Sequence, residues 1–198
     1  MRGFIRLARR AALVAVVLVA APGASDAAPS ALPAKGEIEL KTYSVPGSTI
    51  PRIVLRTVMD LPPKKIWQIV SDCGHYKEHL PSIVSSEILK RSGNTDICKV
   101  TYSMPFPFSN LTGVTESVDE VSEAKMVRRW KLVSGDYRVN DGSWEITALD
   151  AAGKSSLVTY SIHVDPTISV PDFIRDRAQK KTLPEILQRI RAEAAKLP

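Results

Sequence analysis

Hydrophobic and polar positions change period three times along this chain. A β-branched run (Ile53, Val54, Leu55, Thr57, Val58) reads as a strand that ends at Asp60. Pro62 and Pro63 then open a short helix, where missing amide donors matter least, and Ile66, Ile69 and Val70 share one of its faces. From Ile83 the pattern is mostly period two. Residues 83–90 and 96–104 flank Arg91-Ser92-Gly93-Asn94, a hairpin signal. Pro105-Phe106-Pro107-Phe108 interrupts the sheet, because proline cannot sit in a central ladder. Residues 112–121, 125–134, 137–149 and 155–165 read as four more strands, with Gly142 as an expected bulge. After Pro171 the period turns helical. Phe173, Ile174, Ala178 and Leu183 continue into Ile186, Leu187, Ile190 and Ala194 as one apolar stripe, which Pro184 is expected to kink.

Consecutive hairpins imply an antiparallel meander with one apolar face. Its positions are Val114 and Val118, then Met126, Trp130 and Leu132, then Trp144, Ile146 and Ala148, then Val158, Tyr160, Ile162 and Val164. That face and the amphipathic C-terminal helix are complementary, so the pattern predicts an α+β fold in which the helix packs into the sheet.

The N-terminus has its own pattern. Arg2, Arg6, Arg9 and Arg10 precede an apolar run from Ala11 to Ala21, followed by Pro22-Gly23 and small residues. This is the layout of a secretory signal, with cleavage expected after Ala27. The alternative is an uncleaved membrane anchor, which the short run makes uncomfortable. The expected organisation is therefore a signal peptide over 1–27, a flexible linker over 28–36 and one ligand-binding domain over 37–198. The whole chain carries 27 basic and 21 acidic residues. Without four arginines and Asp26 the balance is 23 to 20, a net charge of +3, which gives little reason to invoke nucleic acid.

The stretch from Asp60 to Asp72, with Trp67 inside it and Tyr76 and Leu80-Pro81 after it, resembles the opening of the START-like (SRPBCC) superfamily. Tyr43, Val45-Pro46-Gly47-Ser48, Gly142, Trp144, Tyr160, Pro171 and the C-terminal helix follow the order of its bacterial members. That superfamily includes START lipid carriers, Coq10-type quinone binders, polyketide cyclases and plant Bet v 1 proteins. The resemblance implies a helix-grip fold: a curved antiparallel sheet of about seven strands around a long C-terminal helix, with an apolar cavity between them. It implies a protein that binds and carries, or sequesters, a hydrophobic small molecule such as a lipid. The alternatives are a cyclase, aromatase or hydrolase of the same fold, and a quinone binder. The chain departs from many relatives at Ser109-Asn110-Leu111-Thr112, where they carry Arg and Asp.

Shared strand parity and the resemblance together nominate ligand-binding positions. They are Val100, Tyr102 and Met104 on one strand, Trp130, Trp144, Tyr160 and Ile162 on others, and Phe173 and Ile174 on the helix. Alternation also places Glu116 and Arg128 on this face, where mutual pairing would offset their burial and orient a polar head. The alternative is a register slip that turns one or both to solvent.

Other chemistry is sparse. His75, His79 and His163 read as surface residues, and no metal site or cofactor is expected. No Ser-His-Asp order or phosphate loop stands out, so no catalytic residue is nominated. Cys73 and Cys98 are read as two separate, partly buried thiols, with a bridge as the alternative. The Pro105–Phe108 segment is read as packing on the sheet edge, the alternatives being a lid or a membrane-touching loop. The expected partners are a hydrophobic ligand and a transient membrane surface, for a monomer that is exported.

Overall fold

A computed structural model describes residues 31–198. Eight strands form one open, curved antiparallel sheet: β1 (Ile38–Tyr43), β2 (Arg52–Met59), β3 (Ile83–Ser92), β4 (Thr95–Tyr102), β5 (Leu111–Val121), β6 (Lys125–Gly135), β7 (Tyr137–Ala148) and β8 (Ser156–Pro166). Their order across the sheet is β1-β2-β8-β7-β6-β5-β4-β3. β3 to β8 therefore form a meander, and the last strand closes onto the first pair. The expected signal peptide lies outside the described residues. Of the expected linker, Lys35 already bridges to Val58, and the Gly36 amide donates to the Val58 carbonyl at 3.4 Å.

The strand beyond the expected seven is β1, an edge strand whose Leu40 and Tyr43 stay exposed. Glu39 and Lys41 charge this edge, and Glu39 also accepts from Arg56 on β2 at 3.1 Å, a common way of blunting an unpaired edge.

Four helices cover the concave face. α1 (Pro63–Val70) begins at its proline and buries Ile66, Ile69 and Val70; a 3-10 turn at Cys73–His75 leads into α2 (Tyr76–His79). The C-terminal stripe is not one continuous helix. α3 (Asp172–Arg177) passes through a π turn at Ala178–Thr182 into α4 (Leu183–Lys196). The expected kink takes that form because Pro184 cannot donate backward and its ring crowds the preceding turn, which widens. Ile186, Leu187, Ile190 and Ala194 of α4 join Ile66 and Ile69 of α1 and the inner residues of β2, β7 and β8 in one core. α3 buries nothing, and Phe173 is 70% exposed.

Gly142 is not a bulge: the ladder runs through it in register with Ile162. A Cβ there would collide with the Ser161 carbonyl and the Trp130 indole, so glycine makes room for Trp130 across the sheet.

Candidate functional site

Between the sheet and the C-terminal segment lies a cavity of about 950 Å³. Ile53 of β2 and Tyr160, Ile162 and Val164 of β8 form one wall; Tyr137 and Asn140 of β7 form another. Thr49-Ile50-Pro51, Met104-Pro105 and Phe173-Ile174 stand around its mouth. A smaller chamber of about 50 Å³ lies deeper and shares Tyr102, Asn140, Tyr160 and Ile186 with it. Val100, Cys98, Thr115, Ser117, Arg128, Trp130 and Trp144 line this deep end. Of the nominated positions, all but Glu116 thus stand in a wall of one space or the other.

A backbone irregularity builds part of the wall. Tyr137 pairs with Pro166 and Val139 with Asp165, so one residue is extra in β7. The bulge reverses parity and turns both Tyr137 and Asn140 inward, as bulges beside sites do.

Arg128 is 1% exposed, but its partner is not Glu116. Asp119 stands directly opposite it in the β5–β6 ladder, and Glu116 stands opposite Lys131. Arg128 Nη1 donates to both Asp119 oxygens at 2.9 and 2.8 Å, and Nη2 donates to Asp96 Oδ2 at 3.1 Å. Glu116 reaches Lys131 at 3.2 Å on the outer face. The expected pairing fails because Val114 and Val118 do not mark the inner face of β5. Gly113, Thr115, Ser117 and Asp119 do, small and polar because they face the cavity rather than the packed core. Asp96, which sequence reasoning passed over, sits inward on β4 beside Cys98 and is also held by Arg91 Nε at 2.7 Å and Nη2 at 3.0 Å. The Arg91 hydrogen bond first, and Arg128 after it, hold the Asp96 carboxyl below its ordinary range. Burial pushes Asp119 the other way, against the pull of Arg128. The one inward strand rich in polar residues was the available signal.

Aromatic residues complete the deep end. Tyr160 stacks on Trp144 with ring centres 4.0 Å apart, and on Trp130 at 6.0 Å. Trp130 Nε1 donates to Asn140 Oδ1 at 3.2 Å. Tyr76 donates to the Val70 carbonyl at 2.5 Å, and burial pushes its hydroxyl up to about 12. Burial likewise raises Tyr102, Tyr137 and Tyr160, so each stays a neutral phenol. Among the described residues, the hydroxyls of these three make no hydrogen bond, and no buried polar side-chain atom is fully occluded without a partner.

Two readings of the sequence need correction. Cys73 and Cys98 are bridged, with Cα atoms 6.5 Å apart. The 3-10 turn after α1 brings Cys73 over the inner face of β4, a proximity the spacing alone does not carry. His163 does lie on the outer face of β8, as alternation expects, yet it is 4% exposed because the β1–β2 loop covers it. Its Nε2 is 3.1 Å from Ser48 Oγ and its Nδ1 is 3.5 Å from Asp141 Oδ1; Arg52 holds the other Asp141 oxygen. Ser48, Asp141 and His163 are therefore together after all, as a clasp: Ser48 Oγ also accepts from the Ile50 amide at 3.1 Å, which fixes the loop carrying Thr49-Ile50-Pro51 to the cavity mouth. His75 ends the 3-10 turn and His79 ends the short α2, and His75 Nδ1 is 2.6 Å from Asp72 Oδ2.

Comparison with solved structures finds this architecture elsewhere. A STAR-related lipid transfer protein fragment from Xanthomonas axonopodis is similar at 20% identity with a TM-score of 0.69, covering 80% of this chain and 94% of that one. Human STARD10 is similar at 17% identity and 0.69, covering 81% of this chain and 70% of that one. The Zhui aromatase/cyclase from Streptomyces sp. R1128 is similar at 13% identity and 0.58, covering 73% and 93%. At these identities the likeness is one of fold. Comparison with curated protein sequences gives no match. The family profile described as polyketide cyclase/dehydrase and lipid transport matches residues 59–191, which run from the end of β2 through the cavity walls into α4. With a helix gripped by the sheet, a cavity between them and this match over most of its length, the chain belongs to the polyketide cyclase/dehydrase and lipid transport family.

Proposed function

We propose that this protein is exported, and that as a single chain in the cell envelope it binds and carries, or sequesters, a lipid or similar hydrophobic molecule. The observation that carries the reading is the cavity of about 950 Å³, open at its mouth and walled inside largely by apolar and aromatic side chains, with Leu183 and Ile186 of α4 against it. Sites for small ligands run to about 300–1,000 Å³, and removing apolar ligand surface from water contributes about 25 cal/mol per Å². The lipid transfer named for the Xanthomonas protein supports the same reading. Export is supported by the basic and apolar N-terminal layout and by the Cys73–Cys98 bridge, which persists in oxidising compartments.

Carriage is favoured over catalysis by the deep end itself. A cyclase or hydrolase needs a free acid or base near the ligand, whereas Arg128, Asp96 and Asp119 are bound to one another. Delivery needs an exit. Phe106, 97% exposed, Phe173 and Ile168 project near the mouth with Arg177 and Lys181, a set suited to brief contact with an anionic bilayer.

Native mass spectrometry of protein purified from the envelope fraction tests the proposal. A bound mass removed by organic extraction, and regained from lipid vesicles, is the expected result. Protein that is unliganded and takes up no lipid from vesicles would overturn it.

A further inference from the structure

We propose that the ligand enters with its polar end first, and that this end is a neutral oxygen function (an alcohol, phenol or ketone) rather than a carboxylate or phosphate. The inference rests on the carrier reading above and adds the chemical class of the cargo.

The argument begins with charge. Among the described residues, Arg128 is the one charged side chain lining the deep chamber, and its guanidinium already faces Asp119 and Asp96. Arg91 balances the second carboxylate. An anionic head placed here would find no unmatched cation and would stand close to two carboxylates. Burying an uncompensated anion is among the most unfavourable steps available to a protein.

Neutral hydrogen-bonding groups are left open instead. Ser117 is 4% exposed, Tyr160 5%, Asn140 6% and Tyr137 7%. Ser117 Oγ, Asn140 Nδ2 and the hydroxyls of Tyr102, Tyr137 and Tyr160 bond to nothing among the described residues, yet none is sealed off. Tyr102, Asn140 and Tyr160 line both the large cavity and the deep chamber, with Ser117 on the deep side and Tyr137 on the outer side. As a set they offer phenol O–H and amide N–H donors and hydroxyl acceptors, which suits an oxygen that accepts, or both accepts and donates. An amphiphile in the opposite orientation would press hydrocarbon against these groups and leave each of them unsatisfied, which is unfavourable. At the mouth Arg175 is paired with Asp172, and Arg138 with Asp165 and two carbonyls, while Arg177 and Lys181 make no ion pair among the described residues, so an anionic head held outside is the arrangement that palmitate binding at neutral pH would reveal.

The test uses delipidated full-length protein and three probes with matched tails, 1-hexadecanol, palmitate and hexadecane, delivered from cyclodextrin. Trp130 and Trp144 report occupancy by fluorescence, and native mass spectrometry counts bound molecules. At neutral pH hexadecanol should bind at least about tenfold more tightly than either other probe, the equivalent of one well-made hydrogen bond or an avoided buried charge. Palmitate should gain affinity only below its own carboxyl pKa, near about 4–5. Tyr102→Phe and Tyr160→Phe, which keep shape, should each lower hexadecanol affinity about threefold to tenfold and leave hexadecane unchanged. Palmitate binding at neutral pH as tightly as hexadecanol would overturn the proposal by showing that the head stays outside. Equal binding of hexadecanol and hexadecane, or Tyr→Phe variants without effect, would overturn it by showing that the open hydroxyls read nothing. Binding of none of the three, together with no uptake of envelope lipid, removes the carrier reading and this one with it.

Discussion

Arg128 and Asp119 face each other directly across the β5–β6 ladder, and one guanidinium nitrogen bonds both carboxylate oxygens at 2.9 and 2.8 Å. Asp96 takes the other nitrogen, so a single buried cation holds three strands together at the floor of the cavity.

Arg128→Leu should therefore strand the Asp119 carboxylate, leave Asp96 with Arg91 alone, and lower stability by about 3–5 kcal/mol, measured by urea unfolding. Glu116→Leu, which removes only the outer contact with Lys131, should stay within about 0.5 kcal/mol. Similar losses from the two changes would show that the inner cluster is not structural.

The acid limb of stability should carry the mark of Asp96. Its folded pKa lies below the ordinary 3.8, first through Arg91, so its stabilisation is present above that value and lost as pH falls through the lower one. Asp119 is raised by burial and has the opposite sign. Asp96→Asn should thus flatten the loss of stability on acidification, and Asp119→Asn should steepen it, in denaturation midpoints followed downward from neutral pH. Parallel acid limbs for all three proteins would contradict this.

The Cys73–Cys98 bridge closes a loop with a sequence separation of 25, for which chain entropy gives about 3.5 kcal/mol. A dithiol reductant should lower the thermal midpoint of the wild type, and the Cys73→Ala, Cys98→Ala double variant should already sit at the lower midpoint and not respond.

Gly142→Ala places a methyl group against the Ser161 carbonyl and the Trp130 ring. The indole of Trp130 can swing away and give up its bond to Asn140, but the Ser161 carbonyl is backbone, so the β7–β8 ladder must shift as well. A loss of about 1–3 kcal/mol is expected, with a shift of tryptophan emission that reports the moved indole.

Ser48→Ala should free the β1–β2 loop. The variant loses the contact to His163 and the acceptor for the Ile50 amide, about 1 kcal/mol in all. Hydrogen exchange at Ile50 should quicken while amides of β8 remain protected. Unchanged exchange at Ile50 would show that the clasp does not restrain the mouth.

What the chain could say about itself was decided by period and order. The α+β class, the helix after Pro63, the meander from Ile83 and the stripe from Leu183 to Ala194 are local patterns, and local patterns survive without knowledge of neighbours. Alternation also placed Trp130, Trp144 and Tyr160 on one face, because β6, β7 and β8 turn large apolar residues inward and polar ones out. It misled on β5, where the inward residues are Thr115, Ser117 and Asp119 and the valines face out. A cavity reverses the usual rule: a strand that lines open space needs small polar groups where a packed strand would need bulk. The partner of Arg128, the bridge between Cys73 and Cys98, and the clasp of Ser48 on His163 each join residues from separate elements. Pairings of that kind are set by register, bulges and loop paths, which are summed over the whole fold, and only the tertiary structure decides them.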